Sequence, residues 1–170
     1  MMKLHQVWSK RLAILALGTT IAISGGVISS PQLTKADTIS ASATSTSSKA
    51  NAIIAFGKKY LGTPYKFGAK VGQTRNFDCS TLTKYIYGKY GVSLPRTAAQ
   101  QSKVGRHVSK SNWQKGDLLF FSVPGRPGVG HVGVYIGNNQ MLNTYGAGGV
   151  KITKLNSYWN SHYITARRVL

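Results

Sequence analysis

The chain of 170 residues contains no glutamate, and its only acids are Asp37, Asp78 and Asp117. Set against 22 lysines and arginines, this leaves a formal net charge of +19. An acidic disordered chain is excluded. A glycosidase built on a tuned pair of carboxylates would have to draw both from Asp78 and Asp117. An oxygen-ligand calcium cage needs more carboxylates than the chain can gather. Cysteine is nearly absent too: with Cys79 alone there is no internal disulfide and no Cys-rich zinc site. No metal site and no cofactor is expected. A hydrophobic content of 42% suits a globular protein, and the length fits one domain.

What is present begins with an export pattern. Lys3, Lys10 and Arg11 precede an apolar stretch from Leu12 to about Ile28, and Thr34-Lys35-Ala36 offers small residues where a signal peptidase reads. Residues 1–36 are therefore expected to be a signal peptide, cleaved before Asp37. Gly18, Ser24, Gly25 and Gly26 interrupt the apolar stretch, so no stable membrane span is expected. Removing Lys3, Lys10, Arg11 and Lys35 takes 22 basic residues to 18, leaving +15 against three acids. A lone cysteine in an exported chain is an oxidation liability, so it calls for an explanation, as a buried small hydrophobe or as a nucleophile.

Residues 37–49 are rich in Ser, Thr and Ala without apolar periodicity and read as a flexible leader. Structure is expected over 50–170. Ile53, Ile54, Phe56, Tyr60 and Leu61 recur at helical spacing up to Gly62 and Pro64. A second helix is expected from Asp78 or Cys79 to Gly91, and a short one where Thr97 and Gln100 fit a capping box. From Gly116 onward the pattern changes. Leu118–Val123, His131–Ile136, Met141–Tyr145, Val150–Thr153 and Tyr163–Val169 are short β-favouring runs. Helices first and strands later imply an α+β fold, N-terminal helices packed on a central antiparallel sheet.

Cys79 would sit in the first turn of the second helix, where free N–H groups and the helix dipole favour a thiolate and can later hold an oxyanion. The alternative is a buried structural cysteine. Among the histidines, His107 reads as exposed loop and His162 as a turn or strand edge. His131 opens a strand after the Gly/Pro-rich stretch 124–130 and is the candidate base. Asn143 could orient its ring, and register decides this. A three-residue loop 137–139 pairs 133 with 143 and puts Asn143 on the face of His131; a two-residue Asn138-Asn139 turn puts it on the other.

The sequence resembles the NlpC/P60 cysteine peptidases of bacterial cell walls. The resemblance is carried by 62-GTPYKFG-68, Phe77-Asp78-Cys79-Ser80, Leu94-Pro95-Arg96-Thr97, Lys115-Gly116-Asp117-Leu118 and 130-GHVGVYIG-137, in that order over about residues 50–168. It implies a papain-like α+β fold and cleavage of peptidoglycan stem peptides, usually between γ-D-glutamate and the diamino acid. It further implies Cys79 as nucleophile, His131 as general base and Asn143 at a third polar position where many members have histidine. Tyr65 matches a tyrosine beside the cysteine, as an oxyanion-hole donor or as packing. Asp78 and Ser80 match positions that bind the substrate's free amine in some members, although Asp78 serves equally as a helix N-cap. Asp117 and Arg96 read as structural. The family's usual glycines are replaced at Thr81 and Ala69.

The expectation is thus a secreted, wall-associated cysteine endopeptidase, monomeric, drawn to anionic wall polymers by its charge and acting on stem peptides. A rival within enzymes is a CHAP-like N-acetylmuramoyl-L-alanine amidase; a rival outside them is a non-catalytic cationic wall-binding protein, which an iodoacetamide-resistant Cys79 would favour. Nucleic-acid binding, the generic reading of basic charge, is set aside for want of a motif and because of export.

Overall fold

The computed structural model describes residues 35–170, with side chains from residue 44 onward. The expected signal peptide lies outside the described residues except for its last two positions. Four helices and six strands follow in order: α1 (Lys35–Lys58), α2 (Cys79–Gly88), α3 (Ala98–Gln101), β1 (Arg106–His107), β2 (Leu118–Val123), β3 (Arg126–Gly137), β4 (Gln140–Thr144), β5 (Val150–Lys154), α4 (Ser157–Ser161) and β6 (Tyr163–Arg168). The strands form one antiparallel sheet in the order β1-β6-β2-β3-β4-β5. The fold is α+β, as expected.

One expectation is corrected. Residues 37–49, read as a flexible leader, belong to α1. Their side chains from Thr44 to Lys49 remain mostly exposed and Ala50 is the first buried one, so the stretch has no core of its own. Extension from an anchored helix adds one hydrogen bond per residue without a new nucleus, and no glycine or proline stands between Lys35 and Phe56 to stop it.

β2 is apolar at nearly every position because both faces of the sheet are covered. Leu118 and Phe120 face α1 and α2, in a core with Ile53, Ile54, Leu82, Ile86 and Tyr87. Leu119 and Phe121 face the other way, in a core with Met141, Leu155, Trp159 and Ala166. Buried Asp117 opens β2 and is held by both arms of Arg168, with Arg168 Nε 2.7 Å from Oδ1 and Nη2 2.7 Å from Oδ2, while the Gln114 N–H donates to Oδ2 at 2.7 Å.

The β3–β4 hairpin combines both expected alternatives. Asn138 and Asn139 have φ of 52° and 54°, the left-handed geometry of a two-residue turn, and pair Gly137 with Gln140. An irregularity between Tyr135 and Gly137 then shifts the register, so that Val134 faces Leu142 and Tyr135 faces Met141. One extra residue reverses strand parity. The body of the hairpin therefore has the register that brings Asn143 to the face of His131. A Cβ on Gly133 would lie 3.2 Å from Asn143 Cβ and 2.6 Å from Met141 Sδ, so the absent side chain makes their room.

The β4–β5 turn is stitched to the segment that carries Tyr65. Val150 N–H donates to Thr63 O (2.9 Å) and Gly62 N–H to Val150 O (2.8 Å). Gly149 has φ of +58°, and a Cβ there would lie 2.1 Å from Thr63 O; Gly146 has φ of +66° with nothing within 4 Å. Both alanine substitutions incur left-handed strain, but only Gly149→Ala also forces backbone apart. Gly149→Ala is expected to cost about 2 kcal/mol more than Gly146→Ala, on the order of 5–10 °C in thermal melting. Equal shifts in the two variants would contradict this packing account.

Candidate active site

Cys79 is the first residue of α2 because Asp78 ends the preceding extended chain as its N-cap. Asp78 Oδ1 accepts from the Thr81 N–H (2.8 Å), and Thr81 Oγ1 accepts from the Asp78 N–H (2.9 Å), closing a capping box. Thr81 thus supplies half of the cap. The loop before it is aligned by the Phe77 N–H to Pro64 O (3.1 Å) and the Lys66 N–H to Phe77 O (2.9 Å), which set Tyr65 beside the start of α2.

The β3–β4 ladder runs no further towards the start of β3 than Val134. The Val132 N–H, next in sequence to His131, acts on the Cys79 thiol. Together with the N–H groups of Ser80 and Cys79 it favours the thiolate, but burial outweighs them and Asp78 adds to the opposition, so the thiol is pushed up to about 11. The expectation that the helix terminus lowers this value is corrected: three donors and a dipole do not offset removal of the sulfur from water.

His131 is fully buried. Its ring lies in an aromatic cage, with centroids 5.0 Å from Trp159, 5.1 Å from Tyr145 and 6.1 Å from Phe121. Burial lowers its pKa to about 3, against the opposing influence of Asn143. Asn143 Nδ2 donates to Thr153 Oγ1 at 2.8 Å, which leaves the amide oxygen for the imidazole side. Neither ring nitrogen nor Asn143 Oδ1 has a hydrogen-bond partner among the described residues. A buried imidazole with two free nitrogens is costly unless a reaction uses them.

A cleft of about 650 Å³ opens over Cys79. One wall carries Tyr65, Phe67, Asp78, Ser80 and Arg96; the other carries Val123, Arg126 and Val129, with Tyr145 shared between the cleft and the histidine cage. Arg96, read from sequence as structural, lines this cleft. Its guanidinium meets Asp78 Oδ2 at 2.6 Å, Ser80 Oγ at 3.1 Å and Ala69 O at 2.7 Å, while Ser80 Oγ donates to Asp78 Oδ1 at 3.0 Å. The Tyr65 phenol is raised by burial first and then by the neighbouring Cys79 and Asp78, and Arg126 opposes the rise.

Of the six site residues expected from sequence, Tyr65, Asp78, Cys79 and Ser80 line the cleft, while His131 and Asn143 do not line it and are buried, His131 in a cage that shares Tyr145 with the cleft. His107 lies exposed on β1, and His162 caps α4, its Nδ1 2.8 Å from Tyr158 O. Thr153, Tyr145 and Trp159 were not anticipated; none carries a motif, and only the fold brings Tyr145 and Trp159 to His131 and Thr153 to Asn143. Among the described residues no cluster of histidine, cysteine or acidic side chains could hold a metal ion, and no helix is long and apolar enough to cross a membrane.

The family model described as "NlpC/P60 family" matches residues 62–168. The chain belongs to the NlpC/P60 family. It is 41% identical over 118 residues to the "Probable endopeptidase p60" of Listeria monocytogenes, covering 69% of this chain and 23% of that protein. It is 37% identical over 143 residues to the "Gamma-DL-glutamyl hydrolase" of Bacillus subtilis, covering 82% of this chain and 33% of that protein. The chain therefore spans about a quarter to a third of the length of these relatives. A crystal structure of an NlpC/P60 family protein from Bacillus cereus superimposes with a TM-score of 0.66 at 38% identity, covering 71% of this chain and 40% of that one. The NlpC/P60 fold is thus shared over the segment that holds every candidate residue.

In the ligand-free protein, alkylation of Cys79 by iodoacetamide is expected to be slow at pH 7 and to rise towards pH 11, following the raised thiol. Slow neutral alkylation therefore cannot single out a non-catalytic protein. A plateau reached below pH 7 would mean a stabilised thiolate and contradict the burial argument. His131 titrates in the opposite sense. Its folded value lies below the ordinary 6.5, so the stability it contributes is present above pH 6.5 and is lost as pH falls towards 3. Denaturant titrations are expected to show a shallower loss over that window in His131→Gln than in the parent.

Proposed function

We propose that the protein is a secreted peptidoglycan hydrolase, a cysteine endopeptidase cutting stem peptides at the γ-D-glutamyl–diamino acid bond. The observation that carries the reading is Cys79 at a helix start, lining the cleft, in a chain whose His131 is buried with both ring nitrogens free. Family membership supports the reaction class. For the bond, support comes from relatives named "Gamma-DL-glutamyl hydrolase" and "Bifunctional muramidase/DL-endopeptidase". Export by residues 1–36 and action as a monomer at the wall belong to the same reading.

The chemistry starts from a neutral thiol and a neutral imidazole. His131 takes the Cys79 proton as sulfur attacks the scissile carbonyl carbon. The N–H groups at the start of α2, with the Tyr65 phenol, receive the oxyanion. Its collapse expels the amine, which takes the proton from His131, and leaves a thioester. Water, deprotonated by His131, then hydrolyses the thioester and restores the thiol. Asn143, its Nδ2 committed to Thr153, accepts from the imidazolium and holds the ring. Asp78 and Ser80, tied to Arg96, form the polar wall for the free amine of the stem.

Cys79→Ala is expected to lower release of stem-peptide fragments from purified wall by ~10³-fold or more, and Asn143→Ala by roughly 10- to 100-fold. Digestion by Cys79→Ala at the parent rate would remove the nucleophile assignment. Mass spectrometry of defined muropeptides reads the bond: whole stems released from muramic acid would identify the CHAP-like amidase instead.

Both described carboxylates are neutralised internally, Asp78 by Arg96 and Asp117 by Arg168. The exterior cations are thus unopposed, and long-range attraction to anionic wall polymers follows. Retention on purified wall is expected to fall steeply between about 0.05 and 0.5 M salt as screening shortens. Retention indifferent to salt would detach the charge from wall binding.

A further inference from the structure

Two guanidiniums line the cleft, and only one is committed. Arg96 is matched by Asp78 and further held by Ser80 and Ala69. Arg126 enters from the opposite wall and makes no ion pair among the described residues. It follows the tight turn Pro124-Gly125, where Val123 pairs with Arg126, and Pro127 stiffens the chain after it. Its guanidinium carbon sits 4.1 Å from the ring centroid of Phe67, which projects from the other wall and is 63% exposed. Stacking fixes the plane of a guanidinium while leaving its edge N–H groups free, and pre-ordering lowers the entropy lost on binding. The same charge reaches the Tyr65 phenol, which also feels Cys79. An unmatched, pre-oriented cation therefore stands in the cleft that Cys79 lines.

A γ-linked glutamyl residue carries the scissile carbonyl on its side chain and keeps a free α-carboxylate a few bonds away. We propose that Arg126, held by Phe67, is a specificity-determining residue that binds this α-carboxylate. The inference rests on the stem-peptide reading above. A planar fork facing a carboxylate makes paired, charge-assisted hydrogen bonds, and a carboxamide in its place loses the charge and one acceptor.

The test is binding, so that it does not depend on turnover. Two peptides are titrated into Cys79→Ala protein: L-Ala-γ-D-Glu-L-Lys and its glutamyl α-carboxamide, both amidated at the C-terminus so that the α-carboxylate is the single difference. The carboxylate peptide is expected to bind roughly 10- to 100-fold tighter. In Cys79→Ala/Arg126→Ala the ratio is expected to fall below about 3, and Arg126→Gln and Phe67→Leu on the same background provide independent checks, the latter with a partial fall. Thermal melts verify that each variant is folded. Equal affinities in the Cys79→Ala protein, or a ratio that survives both replacements of Arg126, overturn the inference. Fragment masses from the active enzyme judge the bond separately: cleavage elsewhere would sink the proposed reaction while the affinity ratio still decides the role of Arg126.

Discussion

The Asp78 carboxylate holds three parts of the site together. It caps the helix that begins with Cys79, receives both terminal nitrogens of Arg96, and accepts from the Ser80 hydroxyl. Through Arg96 it reaches the Ala69 carbonyl, and so ties the loop that follows Tyr65 to the start of α3. A buried charge is costly unless paired and hydrogen-bonded, and this one is both. Glutamate, with one more methylene, would reach past the N-cap position; asparagine would leave Arg96 without its countercharge. In a chain with so few acids, the one beside Cys79 has both a structural and an electrostatic task.

That arrangement also explains the balance of forces at the sulfur. Helix N-termini favour anions by roughly 0.3–1 kcal/mol at exposed sites, and a few N–H bonds add to this. Complete removal of a small anion from water costs several kcal/mol. Cys79 sits where the second effect wins, with the Asp78 charge adding to it, so the resting site is thiol and imidazole rather than an ion pair. In the proposed reaction the proton moves during attack, when the developing oxyanion gives the helix N–H groups a stronger charge to hold. Burial of His131 among Phe121, Tyr145 and Trp159 serves the same end: the imidazole stays neutral and free to accept.

Most of the architecture was legible in the sequence because local signals and tertiary demands agree. The Asp78 and Thr97 caps follow from short-range spacing, and both occur. β2 was recognisable from its apolar run. The parity of Asn143 was not decidable, because the turn and the strand body point to opposite answers; a single-residue irregularity beside Gly137 reconciles them, and nothing in the composition of that stretch announces it. Tyr87, buried beside the expected face of α2 with its hydroxyl on Gly116 O, was hidden by its polarity. Arg96 read as structural because pattern reasoning sees a helix start, not the cleft wall that α3 becomes when packed on β3. Thr153 and Trp159 were out of reach for the same reason: their importance lies entirely in what long-range pairing sets beside them.

The distribution of charge joins these observations. The two carboxylates among the described side chains are turned inward, each fastened by an arginine, and neither offsets the lysines outside. A domain with equal numbers of acids and bases could have the same core and the same cysteine, but its field would carry no sign. Here the field is cationic from the surface to the cleft mouth, where Arg126 stands on Phe67. In the proposed function, attraction to an anionic polymer and orientation of an anionic peptide share one cause at two ranges. Far from the surface, salt screens it within about a Debye length. At the cleft mouth the stacked ring fixes the plane of the charge even though both groups remain exposed. Scarcity of acid is thus a property of the site as much as of the surface.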